Sequence, residues 1–467
     1  MKGIVVSSNK SGGGKTTITL GLMKALIKKG IDVQGYKVGP DYIDPAFHSE
    51  ITGKRSRNLD IFLMGEEGIK ASFSRGKGEV AIIEGVMGLY DGKGIDTRYS
   101  TAHVAKILNL PIVLVISPKA QVATLCAEIN GMVNFEDVNI AGVILNNVSE
   151  SYYKLLKASI ENNCNIKVFG YVPKNEKLVL GSRHLGLIQS SEINDIKERI
   201  EVCANLIEKY VDLDSLVKCM GNTKEYYDNF HVKNRGLRTA IAMDKAFSFY
   251  YAENIEMLNE LGDVTYFSPL KDKKLPDNID FLYIGGGYPE VFIDELSNNK
   301  DMLCDIREKL NKGLKCYAEC GGLMYLTKGF IQNVDKLQLQ DKVDVKEKVQ
   351  YLENNNSKKE LVGFLNGYCY MTNRLQRFGY AEIEVQSKNS MVSEGSKINC
   401  HEFHKSCVQC NEKKIYKLTK TTYNNEQKQW TCGYTKNNTL AAYAHVHFFG
   451  NMDFFINSIL QGSKSKL

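Results

Sequence analysis

Short apolar runs alternate with helical stretches along the first part of the chain. Three of these runs, Val80–Glu84 (VAIIE), Ile112–Ile116 (IVLVI) and residues 140–145 (IAGVIL), are apolar almost throughout rather than at every second position. A strand that is apolar on both faces fits the centre of a parallel sheet with helices on both sides. Because parallel strands are joined by crossover helices, the alternation predicts a doubly wound α/β domain.

The same pattern restarts in the second half of the chain. A polar segment at residues 206–234 is followed by strand-like runs at 239–243, 280–284 and 315–318. Since single cores usually stop growing near ~250–300 residues, a chain of 467 residues is expected to hold two or more domains. We predict a boundary near residues 232–238 and a surface insertion or loop in the polar stretch 335–360.

Charge and composition narrow the range of partners and compartments. The net charge of +6 is dispersed without a Lys/Arg block, which predicts no nucleic-acid partner. No apolar run approaches the ~20 residues of a membrane span, and the first residues are strand-like rather than a leader, so we predict a cytoplasmic protein with twelve reduced cysteines. The cluster Cys400, His401, His404, Cys407 and Cys410 leaves zinc as a weaker alternative, because a second CxxC pair is missing.

A glycine-rich segment, residues 7–17 (SSNKSGGGKTT), lies between the first strand and the first helix. That context is the one a P-loop requires, because backbone N–H groups at the helix N-terminus cradle phosphates. The segment resembles the deviant P-loop KGGxGK[ST], with Ser11 in place of the first glycine. Lys15 is predicted to meet the β/γ-phosphates and Thr16 to bind Mg²⁺. The residues predicted to bind ATP are Lys10, Gly12, Gly13, Gly14, Lys15, Thr16 and Thr17.

Acidic side chains follow two of the predicted strands, in the segments KVGPDYIDP (37–45) and EGVMGLYDG (84–92). Ligands bind at the carboxyl ends of the strands in such sheets, and carboxylates there suit Mg²⁺ coordination. We therefore predict that Asp41 and Glu84 join Thr16 as metal ligands. The predicted substrate contacts in these segments are Tyr42, Asp44 and Asp91.

The segment YAECGGLMYL (317–326) has the pattern of a strand that ends in a tight turn and starts a helix. Cys320 stands at the turn. A thiol at a helix N-terminus is favoured as thiolate, and such a turn lifts the sulfur above the sheet edge, as in the nucleophile elbow of hydrolases. The pattern predicts a nucleophilic cysteine.

Residues 1–232 resemble the dethiobiotin-synthetase-like ATPases, and residues 237–467 resemble class I glutamine amidotransferases of the cobyric-acid-synthase type. Together they resemble the cobyrinic acid a,c-diamide synthase family over essentially the whole chain. The resemblance implies a P-loop parallel-sheet domain followed by a flavodoxin-like amidotransferase domain, both α/β. The motifs that carry it are KVGPDYIDP (37–45), EGVMGLYDG (84–92), SRHLGL (182–187), GGGYPE (285–290), YAECGGLMYL (317–326), NRLQRFGY (373–380), HEFHKS (401–406) and YAHVHF (443–448).

The resemblance implies a glutaminase in which Cys320 attacks the amide of glutamine. His445 would deprotonate the thiol and later protonate the leaving ammonia. His447 stays an alternative base, since residues two apart on a strand share a face. Related triads carry a Glu shortly after this histidine, but residues 448–450 are Phe-Phe-Gly here, so the third member is left open.

A run of three glycines, 285–287, follows the predicted strand FLYI. Backbone N–H groups there would form an oxyanion hole, which stabilises the tetrahedral intermediate of acyl transfer. The predicted contributors are Gly286, Gly287 and Gly321.

The resemblance also implies the other half of the reaction. ATP with Mg²⁺ would phosphorylate a carboxylate of a corrinoid, and ammonia passing between the domains would displace the phosphate. The implied ligands are therefore a corrinoid polycarboxylate, glutamine, ATP and Mg²⁺. Arg183, His184 and His404 are predicted to contact substrate carboxylates or the interdomain face. The order of amidation and the oligomeric state stay open, with a homodimer as one option.

Two alternative functions stay open at this point. The ring could be hydrogenobyrinic acid or a nickel sirohydrochlorin, because motifs do not display the shape of the ring pocket. The chain could instead be a deviant P-loop switch ATPase, which would dimerise on ATP and would need neither Cys320 nor His445.

Overall fold

The computed structural model describes residues 1–178, 190–332, 345–354 and 358–460. The chain divides into an N-terminal unit, Met1–Phe230, and a C-terminal unit, His231–Leu467. Arg183 and His184 lie outside the described residues.

The N-terminal unit is built on one eight-stranded sheet with helices between the strands. Its strands are β1 (Lys2–Ser8), β2 (Val33–Val38), β3 (Arg57–Leu59), β4 (Val80–Glu84), β5 (Ile112–Ile116), β6 (Ile140–Asn146), β7 (Lys167–Val172) and β8 (Gly221–Asn222). Its helices are α1 (Lys15–Lys28), α2 (Ile43–Thr52), α3 (Ile61–Arg75), α4 (Thr101–Leu108), α5 (Ala123–Phe135), α6 (Glu150–Cys164), α7 (Ser190–Tyr210) and α8 (Leu213–Cys219), with a 3₁₀ turn at Glu176–Leu178.

The strand order is β3-β2-β4-β1-β5-β6-β7, all parallel, and the short β8 pairs antiparallel with β1. After β1 the chain runs to one side of the sheet for β2–β4 and to the other side for β5–β7. The carboxyl end of β1 is therefore the point where the strand order reverses, which is where open α/β sheets bind ligands. The P-loop segment leaves β1 at this point.

The core of the unit joins strands and helices in one buried apolar cluster. Ile4, Ile82 and Val113 from the strands pack with Leu22 of α1 and Ile207 of α7. Full burial of such a side chain contributes about 1.5–3 kcal/mol, so the sheet is rigidly supported beneath the loop.

The C-terminal unit contains a ten-stranded sheet, a four-stranded sheet and a two-stranded ladder. Its strands are β9 (Leu237–Ala242), β10 (Phe247–Phe249), β11 (Gly262–Phe267), β12 (Phe281–Ile284), β13 (Gly286–Gly287), β14 (Lys315–Glu319), β15 (Thr327–Ile331), β16 (Lys358–Glu360), β17 (Leu365–Met371), β18 (Arg377–Val385), β19 (Lys397–His404), β20 (Ser406–Cys410), β21 (Lys413–Thr421), β22 (Gln427–Lys436), β23 (Thr439–Ala442) and β24 (His445–Val446). Its helices are α9 (Ala252–Leu261), α10 (Ile293–Asn298), α11 (Lys300–Asn311), α12 (Gly321–Leu326), α13 (Val345–Glu353) and α14 (Met452–Leu460), with a 3₁₀ turn at Phe448–Asn451.

The large sheet has the order β11-β9-β12-β14-β23-β22-β21-β18-β19-β24. It is parallel from β11 to β23 and antiparallel beyond. Strand β14 lies in the parallel part between β12 and β23, so its carboxyl end is flanked by the ends of both neighbours. This placement brings the predicted elbow next to the glycine run after β12.

The polar stretch 335–360 holds regular structure where it is described. Helix α13 buries Val349 and Leu352, and β16 pairs antiparallel with β15. Within the predicted surface insertion or loop, Val345–Glu353 is therefore helical and Lys358–Glu360 is a strand. Two apolar side chains three residues apart are too weak a signal against a polar background, and packing on the four-stranded sheet decides the outcome.

The twelve cysteines are all free thiols. Among the described residues, no three or more His, Cys, Asp or Glu side chains form a group that could hold a metal ion. In the same part of the chain, no helix is long and apolar enough to cross a membrane.

Candidate active sites

The loop between β1 and α1 closes tightly on the end of β6. Gly14, just before α1, has a left-handed conformation with φ of 91°, and a Cβ there would lie 2.1 Å from Asn146 Nδ2. Asn146 Nδ2 donates to the carbonyl oxygen of Gly13 (3.3 Å). Glycine at position 14 therefore meets both the backbone angle and the close approach. Sequence analysis missed Asn146, whose signal is its position at the carboxyl end of a buried strand.

Lys15 folds back over the loop rather than into solvent. Its Nζ donates to the carbonyl oxygens of Lys10 (3.1 Å) and Met87. Burial and the nearby charge of Lys37 lower the pKa of Lys15 to about 8. An anion at the loop would relieve this repulsion, as a phosphate site requires. The Lys10 side chain is exposed, and Thr17 is half-buried with its carbonyl accepting from a cysteine thiol of α7.

Glu84, at the end of β4, is fully buried and holds three donors. Thr16 Oγ1 donates to Oε1 (2.6 Å), Lys37 Nζ donates to the same oxygen (2.9 Å), and His48 Nε2 donates to Oε2 (2.8 Å). Burial by itself would raise the pKa of Glu84, but Lys37, His48 and Thr16 outweigh it and hold the pKa well below its usual range. A permanent carboxylate therefore lies beside the predicted metal-binding threonine.

Lys37 links this carboxylate to a second acid. Its Nζ lies 2.6 Å from Asp44 Oδ2 and is almost fully buried. Burial lowers the pKa of Lys37, but the charges of Asp44 and Glu84 overcome that effect and raise it above its usual value. Burial and repulsion by Glu84 raise the pKa of Asp44. Sequence analysis named Asp44 and Glu84 but missed Lys37 and His48 as their partners.

The remaining predicted residues of this unit lie in the two loops at the same sheet edge. Asp41 Oδ1 accepts from the backbone N–H of Ile43 (2.8 Å), so its carboxylate is engaged at the start of α2. Tyr42 is half-buried at the N-cap position of that helix. Asp91 Oδ2 accepts from the backbone N–H of Gly88 (2.8 Å). These contacts order the loops that Asp41 and Asp91 belong to.

The donor set at Thr16 and Glu84 fits Mg²⁺. Both supply hard oxygen ligands, and the two oxygens are 2.6 Å apart at the mouth of the phosphate loop. Mg²⁺ in nucleotide sites takes few protein ligands, because phosphates and waters complete its shell.

In the C-terminal unit, the chain turns sharply at Cys320 between β14 and α12. The residue has φ of 48° and ψ of −99°, a backbone conformation that costs of order 1–3 kcal/mol for a residue with a side chain. Its N–H donates to the carbonyl oxygen of Ala442 on β23 (2.7 Å), which ties the turn to the neighbouring strand. The strained turn holds the thiol at the carboxyl edge of the parallel strands.

His445 is the histidine that meets this thiol. Its buried ring hydrogen-bonds Cys320 and lies beside Glu319, with His445 Nδ1 3.8 Å from Glu319 Oε2. Burial would lower the pKa of His445, but the contacts with Cys320 and Glu319 outweigh it and raise the pKa to about 10. The protonated form of the His445 ring is therefore favoured beside Cys320 and Glu319.

His447 belongs to a different contact set. Its Nε2 lies 3.3 Å from Glu253 Oε2, and its Nδ1 accepts from the backbone N–H of Phe449 (3.3 Å). The two histidines therefore have different partners, and His447 lies just beyond β24 as the cap of the following 3₁₀ turn. His445 as the general base stays a prediction.

Glu319, the last residue of β14, is buried and anchored by three neutral donors. Tyr283 OH donates to Oε2 (2.8 Å), Tyr317 OH donates to Oε1 (2.9 Å), and the backbone N–H of Val446 donates to Oε1 (3.0 Å). Glu319 was not among the predicted site residues, because the acid of the triad was expected after the histidine. The signal was available in the motif YAECGG, where an acid directly precedes the cysteine.

The three predicted oxyanion-hole glycines converge on the same place. A Cβ built on Gly286 would lie 2.5 Å from His445 Cε1, and one built on Gly321 would lie 3.2 Å from the backbone nitrogen of Gly287. Their small size therefore lets β13 and the turn at Cys320 approach each other and the histidine closely.

His404 lies on β19 beside another acid. Its Nδ1 donates to the carbonyl oxygen of Ser406 (2.8 Å), and its ring stacks on Tyr443 at 3.7 Å. Its Nε2 lies 3.7 Å from Glu402 Oε2. In the neutral ring this nitrogen is an acceptor, so contact with a substrate carboxylate, which stays a prediction, would require a protonated ring.

Fold and sites together define a P-loop nucleotide-binding unit joined to a class I glutamine amidotransferase unit. Residues 4–187 match the CobQ/CobB/MinD/ParA nucleotide binding domain. Residues 238–452 match the CobB/CobQ-like glutamine amidotransferase domain. These matches confirm the predicted fold class.

Full-length relatives narrow this class further. The chain is 64% identical to a cobyrinate a,c-diamide synthase of Clostridium tetani, over 97% of this chain and 98% of that one. It is 60% identical to the protein of the same name from Clostridium acetobutylicum, over 97% and 99% of the two chains. A third, from Caldanaerobacter subterraneus subsp. tengcongensis, is 40% identical over 95% of both. The chain belongs to the cobyrinate a,c-diamide synthase family, and the predicted family is confirmed.

Proposed function

We propose that this chain is a glutamine-hydrolysing, ATP-dependent amide ligase that converts the a- and c-side-chain carboxylates of cobyrinate into amides in cobalamin biosynthesis. The observation that carries the proposal is the match to synthases of this name over almost the whole chain. Both sets of reactive side chains that such a reaction needs, at Lys15–Thr16–Glu84 and at Cys320–His445, support it.

The C-terminal unit supplies ammonia. The Cys320 thiolate attacks the carboxamide carbon of glutamine, and the His445 imidazolium gives its proton to the leaving ammonia. Water then attacks the thioester and loses a proton to His445. The C–S bond breaks, which releases glutamate and restores the Cys320 thiolate. Backbone N–H groups at Gly286, Gly287 and Gly321 would stabilise the oxyanion in both steps.

The N-terminal unit activates the carboxylate. A carboxylate oxygen of the substrate attacks the γ-phosphorus of ATP, ADP leaves, and an acyl phosphate forms. Ammonia then attacks the acyl carbon, the C–O bond to phosphate breaks, and the amide forms with release of inorganic phosphate. Lys15 and the loop N–H groups would hold the β- and γ-phosphates during the first step.

Mg²⁺ is part of this proposal. Thr16 and Glu84 are the residues that would hold it, with Asp41 as the third predicted ligand. When it is bound, the ion would neutralise part of the negative charge of the phosphates. Lys37 and His48 would keep the Glu84 carboxylate ionised and oriented.

The identity of the ring is tested by product mass. The full chain is given ATP, Mg²⁺ and glutamine with cobyrinic acid, hydrogenobyrinic acid or nickel sirohydrochlorin in separate reactions. Each carboxylate-to-amide conversion lowers the product mass by about one unit, so the mass reports both the accepted ring and the number of amides. We expect cobyrinic acid to give the diamide. If only another ring is amidated, the proposed substrate is wrong. If no ring is amidated, the proposed ligase activity is wrong.

The assembly and location proposed from the sequence need separate tests. Light scattering on the purified chain measures whether it forms a homodimer. Fractionation of the producing cells measures whether it is cytoplasmic.

A further inference from the structure

We propose that Glu319 is the positioning residue of the glutaminase and takes the place of the acid missing after His445. This inference rests on the proposed glutaminase half of the function. It assigns a role to the residue directly before the nucleophile, so one dipeptide supplies two members of the triad.

The three side chains stand in the order that a triad requires. The ring of His445 contacts Cys320, and its Nδ1 lies 3.8 Å from Glu319 Oε2. A negative charge at this distance holds the ring orientation and stabilises the imidazolium that forms when the thiol loses its proton. The sharp turn at Cys320 makes this possible, because consecutive residues of a regular strand would point to opposite faces of the sheet.

The partners of Glu319 leave its charge available to the histidine. Its three hydrogen-bond donors, two tyrosine hydroxyls and the backbone N–H of Val446, are all neutral. They fix the carboxylate in place without cancelling its charge. The N–H of Val446 directly follows His445 in the chain, so the same carboxylate also positions the histidine's own strand.

The other titratable neighbour of His445 on the adjoining strand does not substitute for Glu319. His401 of β19 pairs in register with His445 of β24. Burial, with the nearby charge of His445, lowers the pKa of His401 to about 3, so this ring is neutral at physiological pH. Cys320 at the turn, Glu319 on β14 and His401 on β19 are titratable groups close to His445.

The test is Glu319→Gln, which removes the charge while keeping the shape. We expect kcat for glutamine hydrolysis to fall at least about tenfold with little change in KM, as for other triads deprived of their acid. The rate of Cys320 alkylation by iodoacetamide at pH 7 should fall at least about tenfold as well, because the neutral thiol–imidazole pair is favoured. This rate is read by mass spectrometry of the tryptic peptide 316–328 and needs neither ATP nor tetrapyrrole. Alkylation should recover toward the wild-type rate at high pH, where hydroxide removes the thiol proton.

A matched control lies in the same unit. Glu253→Gln removes the charge from another buried Glu–His pair, Glu253 with His447. This variant should keep both the hydrolysis kinetics and the alkylation rate of Cys320. Glu319→Asp, which retains the charge on a shorter side chain, should recover part of what Glu319→Gln loses.

Three outcomes would overturn the proposal. One is an unchanged alkylation rate in folded Glu319→Gln, and another is equal losses in Glu319→Gln and Glu253→Gln. The third is an activity and an alkylation rate in Glu319→Asp no higher than those in Glu319→Gln.

If Glu319→Gln does not fold, the Tyr283→Phe, Tyr317→Phe double variant provides the test instead, since it keeps the charge of Glu319 but removes two of its hydrogen-bond donors. We expect this variant to be alkylated more slowly at pH 7, and a wild-type rate would overturn the role. Because neither readout uses a tetrapyrrole, a wrong substrate would leave these results intact.

Discussion

Glu84 and Glu319 occupy the same place in two different parallel sheets. Each is the last residue of a strand flanked by parallel neighbours, and the two residues are 0% and 1% exposed. Each also lies beside a histidine, His48 in one case and His445 in the other. The two carboxylates are nevertheless prepared for different chemistry.

The difference comes from the other partners. Glu84 is paired with a buried ammonium, Lys37, and accepts from the Thr16 hydroxyl at the phosphate loop. Glu319 is held by neutral donors alone apart from its histidine. The charge of a carboxylate paired with a fixed cation is largely neutralised, so other charged groups can bind beside it. A carboxylate held by neutral groups keeps its negative charge, which stabilises the protonated imidazole next to it. A position at the end of a parallel strand therefore places an acid in a buried site. The side chains around that acid determine which chemistry it can support.

The largest expected effect separates the two sites by nitrogen source. Cys320→Ala should reduce glutamine-supported amidation by at least about 10⁴-fold, because the thiolate nucleophile is lost. Amidation supplied with ammonium chloride should persist, since the carboxylate is activated in the other unit. Paired measurements with glutamine and with ammonium salt check this. Loss of both activities in a folded variant would contradict two separate sites, and retention of both would show that Cys320 is not the nucleophile.

A change at the phosphate loop should impair amidation and leave glutamine hydrolysis largely intact. Lys15→Ala should lower amidation by about 10²–10³-fold with either nitrogen source, because an electrostatic contact to the transferring phosphate is lost. Glutamine hydrolysis should continue at a substantial fraction of the wild-type rate. Coupled assays of ADP and glutamate formation check both halves. Full synthesis by this variant would exclude the loop as the ATP site.

Removing the cation beside Glu84 tests how that carboxylate is held. Lys37→Met should destabilise the N-terminal unit by about 3–5 kcal/mol, because it leaves buried acids without their cation. For a unit of this size, such a loss corresponds to a melting temperature lower by roughly 10 °C. Calorimetry of the full chain measures it. An unchanged melting transition would mean that Lys37 does not compensate Glu84 and Asp44.

The histidine beside Glu319 should set an alkaline limit to glutamine hydrolysis. The pKa of His445 is raised to about 10, so the ring keeps its proton at neutral pH and loses it as the pH rises through that value. Above it, kcat should fall about tenfold per pH unit, since leaving ammonia can no longer be protonated by the ring. The pH profile of glutamate release checks this. A limb close to the ordinary histidine value near ~6.5 would show that Cys320 and Glu319 do not stabilise the charged ring.

The smallest effect concerns the neutral anchors of Glu319. Tyr317→Phe should cost about 1.5–3 kcal/mol of stability, the usual contribution of a hydrogen bond to a charged group, and less than Lys37→Met. Thermal unfolding of the two variants side by side measures the difference. A cost equal to that of Lys37→Met would remove the distinction between cation-compensated and neutrally anchored acids.

Contiguous motifs were the part of the sites that sequence could predict. The glycine-rich loop and the turn at Cys320 each need an unusual backbone conformation. Glycines, or an acid next to a thiol, within one short segment indicate such a conformation. Thr16 and Glu84 were both named from the sequence, and the structure brings their side chains together. In contrast, Asn146 and His48 were missed, because nothing in their own segments shows which distant loop or acid they contact.

The sequence by itself determined that this chain holds two α/β units, one with a phosphate loop and one with a nucleophilic elbow. It could do so because apolar runs, glycines and turn residues act on the backbone within a few residues. Tertiary structure decided which histidine meets Cys320 and which acid stands behind it. Those contacts join β14 and β24, segments more than a hundred residues apart. They form because β24 follows β23 closely in the chain, and β23 pairs with β14.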